Sequence, residues 1–123
     1  MTRRFPRTGP LIPDELLTKM IENASITEER DRYDPFPVVK LFTPDAAASW
    51  LLTEAYAEGQ DVSLFGLIDI GLGEAVLGYV MVSDIEDVRG KLGLPGERDL
   101  YFKAEHRLSI YAKIARHAGR IVT

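Results

Sequence analysis

The middle of the chain alternates between apolar segments of β type and turns rich in Gly, Pro and Asp, and no other feature constrains the fold as strongly. The four segments cover residues 38–42, 49–56, 62–70 and 75–82. Residues 49–56 also fit a helix, because three alanines precede this segment, Leu51 and Leu52 lie within it, and both residue types form helices well. Segments joined by such short turns pair with their neighbours in sequence, so we expect a meander of antiparallel strands.

One helix is predicted before this meander in the sequence and another directly after it. The first covers residues 13–24, since Pro13 suits the first helical position and the apolar residues recur at helical spacing. Residues 25–37 are polar and interrupted by prolines, which indicates a long connection. The second helix begins at Ser83, because the Ser83 hydroxyl and the Glu86 side chain form a capping-box pattern.

The last part of the chain predicts a short strand and a third helix. The strand covers residues 100–103, and the helix covers residues 109–118 and ends at Gly119. An inward-facing apolar stripe is expected from Leu108, Tyr111, Ile114, Ala115 and Ala118. The predicted order is therefore α-β-β-β-β-α-β-α. This is an α+β fold, in which three helices cover one face of a mainly antiparallel sheet of four to five strands.

Length and composition predict one domain. With 123 residues, of which 46% are hydrophobic and 28% charged, the chain has the composition of an ordinary globular protein with one core. Residues 1–10 contain three arginines and no apolar periodicity, so we expect a flexible basic arm before a single domain over residues 11–123. The absence of cysteine excludes a disulfide and a thiolate nucleophile, and it favours the cytoplasm. No apolar run has membrane-spanning length, and no membrane contact is expected.

Charge is segregated along the chain, whose formal net charge is −4. Residues 41–88 contain nine carboxylates and neither Lys nor Arg, whereas residues 89–123 contain eight bases and three acids. The nine acids are Asp45, Glu54, Glu58, Asp61, Asp69, Glu74, Asp84, Glu86 and Asp87. A like-charged segment must be solvated, bind a cation or face a basic surface. The pattern therefore indicates either a binding face for a basic partner or a sheet that the basic tail of the same domain neutralises.

Seven short motifs follow one another over roughly residues 38–118: Leu41-Phe42-Thr43-Pro44-Asp45, Trp50, Gly71-Leu72-Gly73, Leu77-Gly78-Tyr79, Val88-Arg89-Gly90, Leu92-Gly93-Leu94-Pro95 and Glu97-Arg98-Asp99. This ordered series resembles a bacterial domain-of-unknown-function family, number twenty-nine fifty-eight. Members of that family occur on plasmids, phages and other mobile elements. The resemblance implies an accessory protein that meets host nucleic acid or host defence proteins. It implies no catalytic residue.

The first functional hypothesis is a non-enzymatic accessory protein that binds a host or element-encoded protein through an acidic surface. Such a surface mimics the electrostatics of nucleic acid and counteracts a nucleic-acid-handling or defence system. The residues expected on this face are Asp45, Trp50, Glu54, Asp69 and Glu74. The hypothesis requires that these side chains lie together on one exposed side of the sheet. No cofactor is expected.

Two alternatives remain open at this point. The chain is a small nucleic-acid-binding module if a basic surface forms from Lys103, Arg107, Lys113, Arg116 and Arg120. It is a metal-dependent enzyme if Asp45, Glu54 and Asp69 converge on Mg²⁺, which prefers oxygen ligands. The sequence favours a protein that is not an enzyme, because the two histidines are not spaced as a metal pair and no nucleophile elbow is present.

Overall fold

The computed structural model describes Thr8 and residues 11–123, which form three helices and one five-stranded antiparallel sheet. The elements are α1 (Asp14–Glu29), β1 (Val39–Phe42), β2 (Ser49–Glu58), β3 (Asp61–Asp69), β4 (Ala75–Met81), α2 (Val82–Asp87), β5 (Glu97–Arg98) and α3 (Leu108–Ala118). Their order confirms the predicted α+β fold, and the ambiguous second segment is a strand. The predicted basic arm, residues 1–10, lies outside the described residues except for Thr8.

The sheet is a meander with one short added strand. Strands β1 to β4 each pair with their neighbours in sequence, and the spatial order is β4-β3-β2-β1-β5. Strand β5 pairs with β1 through Leu41 opposite Arg98 and Phe42 opposite Glu97. The prediction of a strand over residues 100–103 is wrong. The Asp99 amide donates the last bond to β1, at 2.9 Å from the Lys40 carbonyl oxygen, and a turn follows.

Helices cover both faces of the sheet, whereas the sequence predicted that they cover one. Helices α1 and α2 pack on the face that carries Trp50 and Leu52. Helix α3 packs on the opposite face, which carries Leu51 and Leu67. Successive residues of a strand point to opposite sides, so a strand with large apolar residues at consecutive positions has two faces to bury.

A β-bulge in β2 changes which residues share a face. Leu52 and Thr53 together lie opposite Gly66, so Thr53 is an extra residue in the pairing of β2 with β3. Unbroken alternation would place Glu54 on the same side as Leu52. The bulge instead turns Glu54 to the opposite side and brings Ala55 into the core beside Leu52.

A buried amide connects this bulge to α1. Asn23 Nδ2 donates to the Thr53 carbonyl oxygen at 2.9 Å, and the Tyr33 hydroxyl donates to Asn23 Oδ1 at 3.1 Å. A buried backbone carbonyl without a donor is costly, and a bulge creates such groups. Asn23 therefore holds α1 and the connection after it against β2.

The helix boundaries differ from the prediction at two places. Helix α1 continues to Glu29, and Thr27, one helical step after Ala24, is half-buried. The capping box of α2 does not form. The helix already begins at Val82, and the Ser83 hydroxyl and amide both donate to the Asp61 carboxylate in the hairpin between β2 and β3.

Helix α3 has defined contacts at both ends. At its start, the Asp34 carboxylate accepts from the Ser109 hydroxyl and from the Ser109 amide, the latter at 3.0 Å. At its end, Gly119 adopts the left-handed conformation with φ of 74°, as glycine commonly does after a helix. The predicted stripe is correct except that Ala112 is buried and Ala118 is exposed. Among the described residues, no helix has the length and apolar composition needed to cross a membrane.

Replacing Gly66 by alanine should destabilise the fold strongly. A Cβ atom there would lie 2.0 Å from the Leu51 carbonyl oxygen, and relief would require breaking the pairing of β2 with β3. We expect Gly66→Ala to lower the free energy of unfolding by about 3 kcal/mol or more. Urea titration followed by tryptophan fluorescence measures this change.

Gly78 is the matched control, because it lies opposite Gly66 on β4 and an added Cβ would be 3.8 Å from its nearest neighbour. Gly78→Ala should change the free energy of unfolding by less than about 1 kcal/mol. Equal effects of the two substitutions would contradict the close backbone approach at Gly66.

Candidate functional site

The five residues predicted to form an acidic face do not lie together on the surface. Trp50, Glu54 and Asp69 are only 2%, 4% and 3% exposed. Asp45 is half-buried and Glu74 is exposed. Trp50 and Glu54 also lie on opposite sides of β2 because of the bulge. Of the predicted set, a partner can therefore reach Glu74 and part of Asp45.

Asp69 uses its carboxylate to bind backbone amides of two other segments. Its Oδ1 accepts from the Gly71 amide at 2.8 Å, and its Oδ2 accepts from the Ile121 amide at 3.0 Å. Hydrogen bonds to an ionised acceptor are stronger than neutral ones. Asp69 therefore fixes the turn between β3 and β4 against the segment that follows α3.

Asp45 has a similar role. It lies between β1 and β2, and its carboxylate binds backbone amides of the loop between α2 and β5. Its Oδ2 accepts from the Leu92 amide at 2.7 Å and from the Leu94 amide at 3.4 Å. Gly90 lies so close that a Cβ atom there would be 2.3 Å from Asp45 Oδ1. The Asp45 motif is far in sequence from the Gly90 and Leu92 motifs, but the three form one structural unit.

Glu54 is a buried carboxylate beside a shallow groove of about 360 Å³. Its Oε1 accepts from the Tyr56 hydroxyl at 2.6 Å, and its Oε2 accepts from the Thr53 hydroxyl at 3.3 Å. No Lys, Arg or His of the described chain lies within 4.0 Å of this carboxylate. Apolar walls of the groove come from Tyr33, Phe65, Leu77 and Leu108. One sequence signal could have pointed to the bulge, although no bulge was predicted: a glycine within an apolar strand, here Gly66, is typical of a bulge.

The carboxylates do not converge as the metal hypothesis requires. Asp45, Glu54 and Asp69 each bind donors in their own surroundings. Within Thr8 and residues 11–123, no group of three or more His, Asp or Glu side chains is arranged to hold a metal ion. Three carboxylates around one cation are therefore not assembled in this part of the chain.

The basic residues of the nucleic-acid hypothesis are all exposed, on or near α3. They are Lys103, Arg107, Lys113, Arg116 and Arg120. Arg107 donates to the Asp34 carbonyl oxygen at 2.9 Å and lies over the ring of Phe36. No carboxylate of the described residues lies within 4.0 Å of the cationic groups of the other four. Helix α3 thus contacts the sheet through apolar side chains, and its basic side faces solvent.

Exposed apolar side chains surround β4, and we call this area the edge surface. Its members, each at least half exposed, are Ile70, Leu72, Val76, Leu77 and Tyr79. The Tyr79 ring packs on the Phe65 ring with 5.0 Å between centroids, which holds Tyr79 in place. This surface was not predicted from the sequence, because apolar composition alone does not distinguish an outer strand from a covered one. Apolar patches of this kind commonly mark binding sites.

One family model matches the chain over residues 11–122, and it is described as a protein of unknown function, DUF2958. The chain belongs to the DUF2958 family. The match includes all eight elements of the fold, and it confirms the resemblance seen in the sequence. No curated protein and no solved structure matches the chain. Membership of DUF2958 therefore identifies the lineage, and the function must be inferred from the surfaces of the molecule.

The hydrogen bond between Tyr56 and Glu54 predicts a pH dependence of stability. Burial, and then the bond to the Glu54 carboxylate, raise the pKa of Tyr56 well above its ordinary value of 10.0. Because the pKa is higher in the folded state, the contribution of Tyr56 is fully present below pH 10.0 and decreases as the pH rises further. We therefore expect Tyr56→Phe to lose less stability than the unmodified chain between neutral and strongly alkaline pH in urea titrations.

Tyr101→Phe is the control, since Tyr101 is 92% exposed and its hydroxyl has no such bond to any residue of the described part of the chain. It should show the same alkaline loss of stability that we expect of the unmodified protein. If Tyr56→Phe and the unmodified protein lose stability equally, the Tyr56 hydroxyl does not bind Glu54 in solution.

Proposed function

We propose that this DUF2958 chain is a non-enzymatic accessory protein of a mobile element, such as a plasmid or phage, and acts in the cytoplasm. In this proposal it binds a host or element-encoded protein and thereby counteracts a nucleic-acid-handling or defence system. The mobile-element context comes from the family resemblance. The binding activity is supported by the surface chemistry of the chain.

The observation that carries the proposal is the edge surface. Its five apolar side chains lie in a part of the chain, residues 41–88, that contains no Lys or Arg. Acidic residues stand next to it, with Glu74 directly before β4 and Asp84 shortly after it. An apolar centre with a charged rim is the usual composition of a protein interface. The acids of the rim favour a partner that is basic at this contact.

The proposed contact is the edge surface, whereas the sequence suggested an acidic face. The buried acids Asp69 and Glu54 are occupied by internal hydrogen bonds, so these side chains serve the fold. The exposed acids contribute charge around the apolar centre. A partner is therefore held mainly by apolar contact, and the acidic rim selects its charge.

Photo-crosslinking in bacterial cells tests the proposal. The photoreactive amino acid p-benzoylphenylalanine replaces Leu77 or Tyr79 in the edge surface, and Leu92, which is 76% exposed, serves as the matched control position. We expect the same protein adduct from positions 77 and 79, and none from position 92. The adduct should disappear when Val76→Lys is added to the same chain, because a charge in the apolar centre opposes binding.

The partner identified by mass spectrometry is then purified and titrated with the DUF2958 chain. Binding that Val76→Lys weakens and Leu92→Lys leaves unchanged supports the proposal. Equal adducts from all three positions, or no protein adduct from positions 77 and 79, would overturn it.

A second candidate function, nucleic-acid binding through α3, is favoured by one observation. Lys113, Arg116 and Arg120 are exposed on or just after α3 and have no ion-pair partner among the described residues. Unpaired cations on one helix are typical of phosphate contacts. The exposed acids near β4 oppose binding of the same nucleic acid there, so the contact would be restricted to α3.

Fluorescence anisotropy of labelled single- and double-stranded DNA distinguishes the two functions. If protein binding is the main activity, we expect no measurable affinity at about 0.15 M salt and at most weak association at low salt. Salt-sensitive binding that is lost in Arg116→Ala/Arg120→Ala, and retained in the control Lys19→Ala/Lys91→Ala, would establish the second candidate as the main function.

A further inference from the structure

We propose that β4 accepts an extended, basic segment of a partner protein as an additional strand of the sheet. This inference rests on the proposed function, because it specifies how the edge surface holds its partner. The segment pairs through its backbone with the outer side of β4, its apolar residues cover the edge surface, and its Lys or Arg residues face the acidic rim.

The two edges of the sheet differ in how they are protected. At one edge, β5 is only two residues long and both residues, Glu97 and Arg98, are charged. Short strands and charges are the means by which natural proteins block pairing at an edge. At the other edge, β4 has seven residues, Ala75–Met81, with no charged residue and no proline. Within the described chain, no strand pairs with its outer side.

The side chains of β4 also suit an added strand. Val76 lies on one side of the sheet, and Leu77 and Tyr79 lie on the other, so apolar residues of a partner strand find neighbours on both sides. Gly78, at the centre of β4, has no side chain to obstruct a close approach of another backbone. Strand addition of this kind obtains affinity from main-chain hydrogen bonds and specificity from alternate side chains.

Charge complementarity identifies the occupant as basic. Glu74 precedes β4, Asp84 follows it, and the adjacent hairpin between β2 and β3 carries Glu58 and Asp61. No Lys or Arg occurs anywhere in residues 41–88. An added strand with Lys or Arg at positions facing these acids is attracted, and an acidic strand is repelled.

Two synthetic peptides as long as β4 test the inference with the full chain. One alternates lysine with valine, and its matched counterpart alternates glutamate with valine. In ¹⁵N–¹H NMR titrations, we expect the lysine peptide to shift the resonances of β4 and to slow hydrogen exchange of its outward amides. The glutamate peptide should leave both unchanged.

Two variants and one control locate the binding. Val76→Lys and Leu77→Lys add a cation on opposite sides of β4, and each should weaken binding of the lysine peptide by about tenfold or more. Leu92→Lys makes the same charge change on an exposed leucine away from the edge and should leave the affinity unchanged. Thermal unfolding of each variant shows whether it folds. If one of the two β4 variants does not fold, the other one still tests the inference.

Each other outcome overturns strand addition by a basic segment. These outcomes are equal binding of both peptides, shifts that lie outside β4, and no binding of the lysine peptide. A wild-type dimer in analytical ultracentrifugation that Leu77→Lys dissociates would show that a second copy occupies the edge. If the lysine peptide fails but photo-crosslinking at positions 77 and 79 still yields a protein, the protein-binding function stands and only the strand-addition mode falls. If the lysine peptide binds and crosslinking yields no protein, the strand-addition mode stands and the proposed protein-binding function falls.

Discussion

The close contact between β2 and β3 at the bulge is the constraint on which the rest of the structure depends. With Thr53 inserted opposite Gly66, Trp50, Leu52 and Ala55 share one side of the sheet and form the core under α1. The same shift turns Glu54 to the other side. The freed Thr53 carbonyl is then satisfied from α1 through Asn23, so the bulge determines both the core and the position of the first helix.

The acidic residues of the middle segment divide into two groups with different roles. Asp45 and Asp69 accept hydrogen bonds from backbone amides of other segments and so connect parts of the chain that are distant in sequence. The other group remains on the surface, and Glu74 and Asp84 are examples next to β4. A count of charges along the sequence cannot separate these groups, because it contains no information on which amides lack a partner in the fold.

The order of elements was predictable because it depends on local chemistry. Gly59, Gly71 and Gly73 adopt positive φ in the turns that separate strands with strong β propensity, and this pattern is visible in the sequence. The bulge, the early position of β5 and the burial of Glu54 were not predictable in the same way. Each depends on the register or the partner of a strand, and a shift of one residue reverses the side on which every following residue of that strand lies.

The edge surface was missed for a related reason. The apolar composition of β4 indicates a covered strand, and the sequence alone does not show that β5 pairs with β1 and so leaves β4 as the outermost strand. Whether an apolar strand is exposed depends on its position in the sheet. The sequence located the surfaces of the two functional hypotheses unequally well. The basic residues near α3 are exposed as expected, whereas most residues of the predicted acidic face are buried.

Charge changes sign along β4, and this gives an added strand a direction. Gly119, at the end of α3, lies close to Gly73, so the basic end of α3 is beside the start of β4. The Met81 end lies beside the hairpin that carries Glu58 and Asp61. A strand that runs antiparallel to β4 passes from the acidic end to the basic end. Its basic residues then belong in its N-terminal half, whereas a parallel strand needs them in its C-terminal half. The distribution of lysines in a bound segment therefore reports the direction in which it extends the sheet.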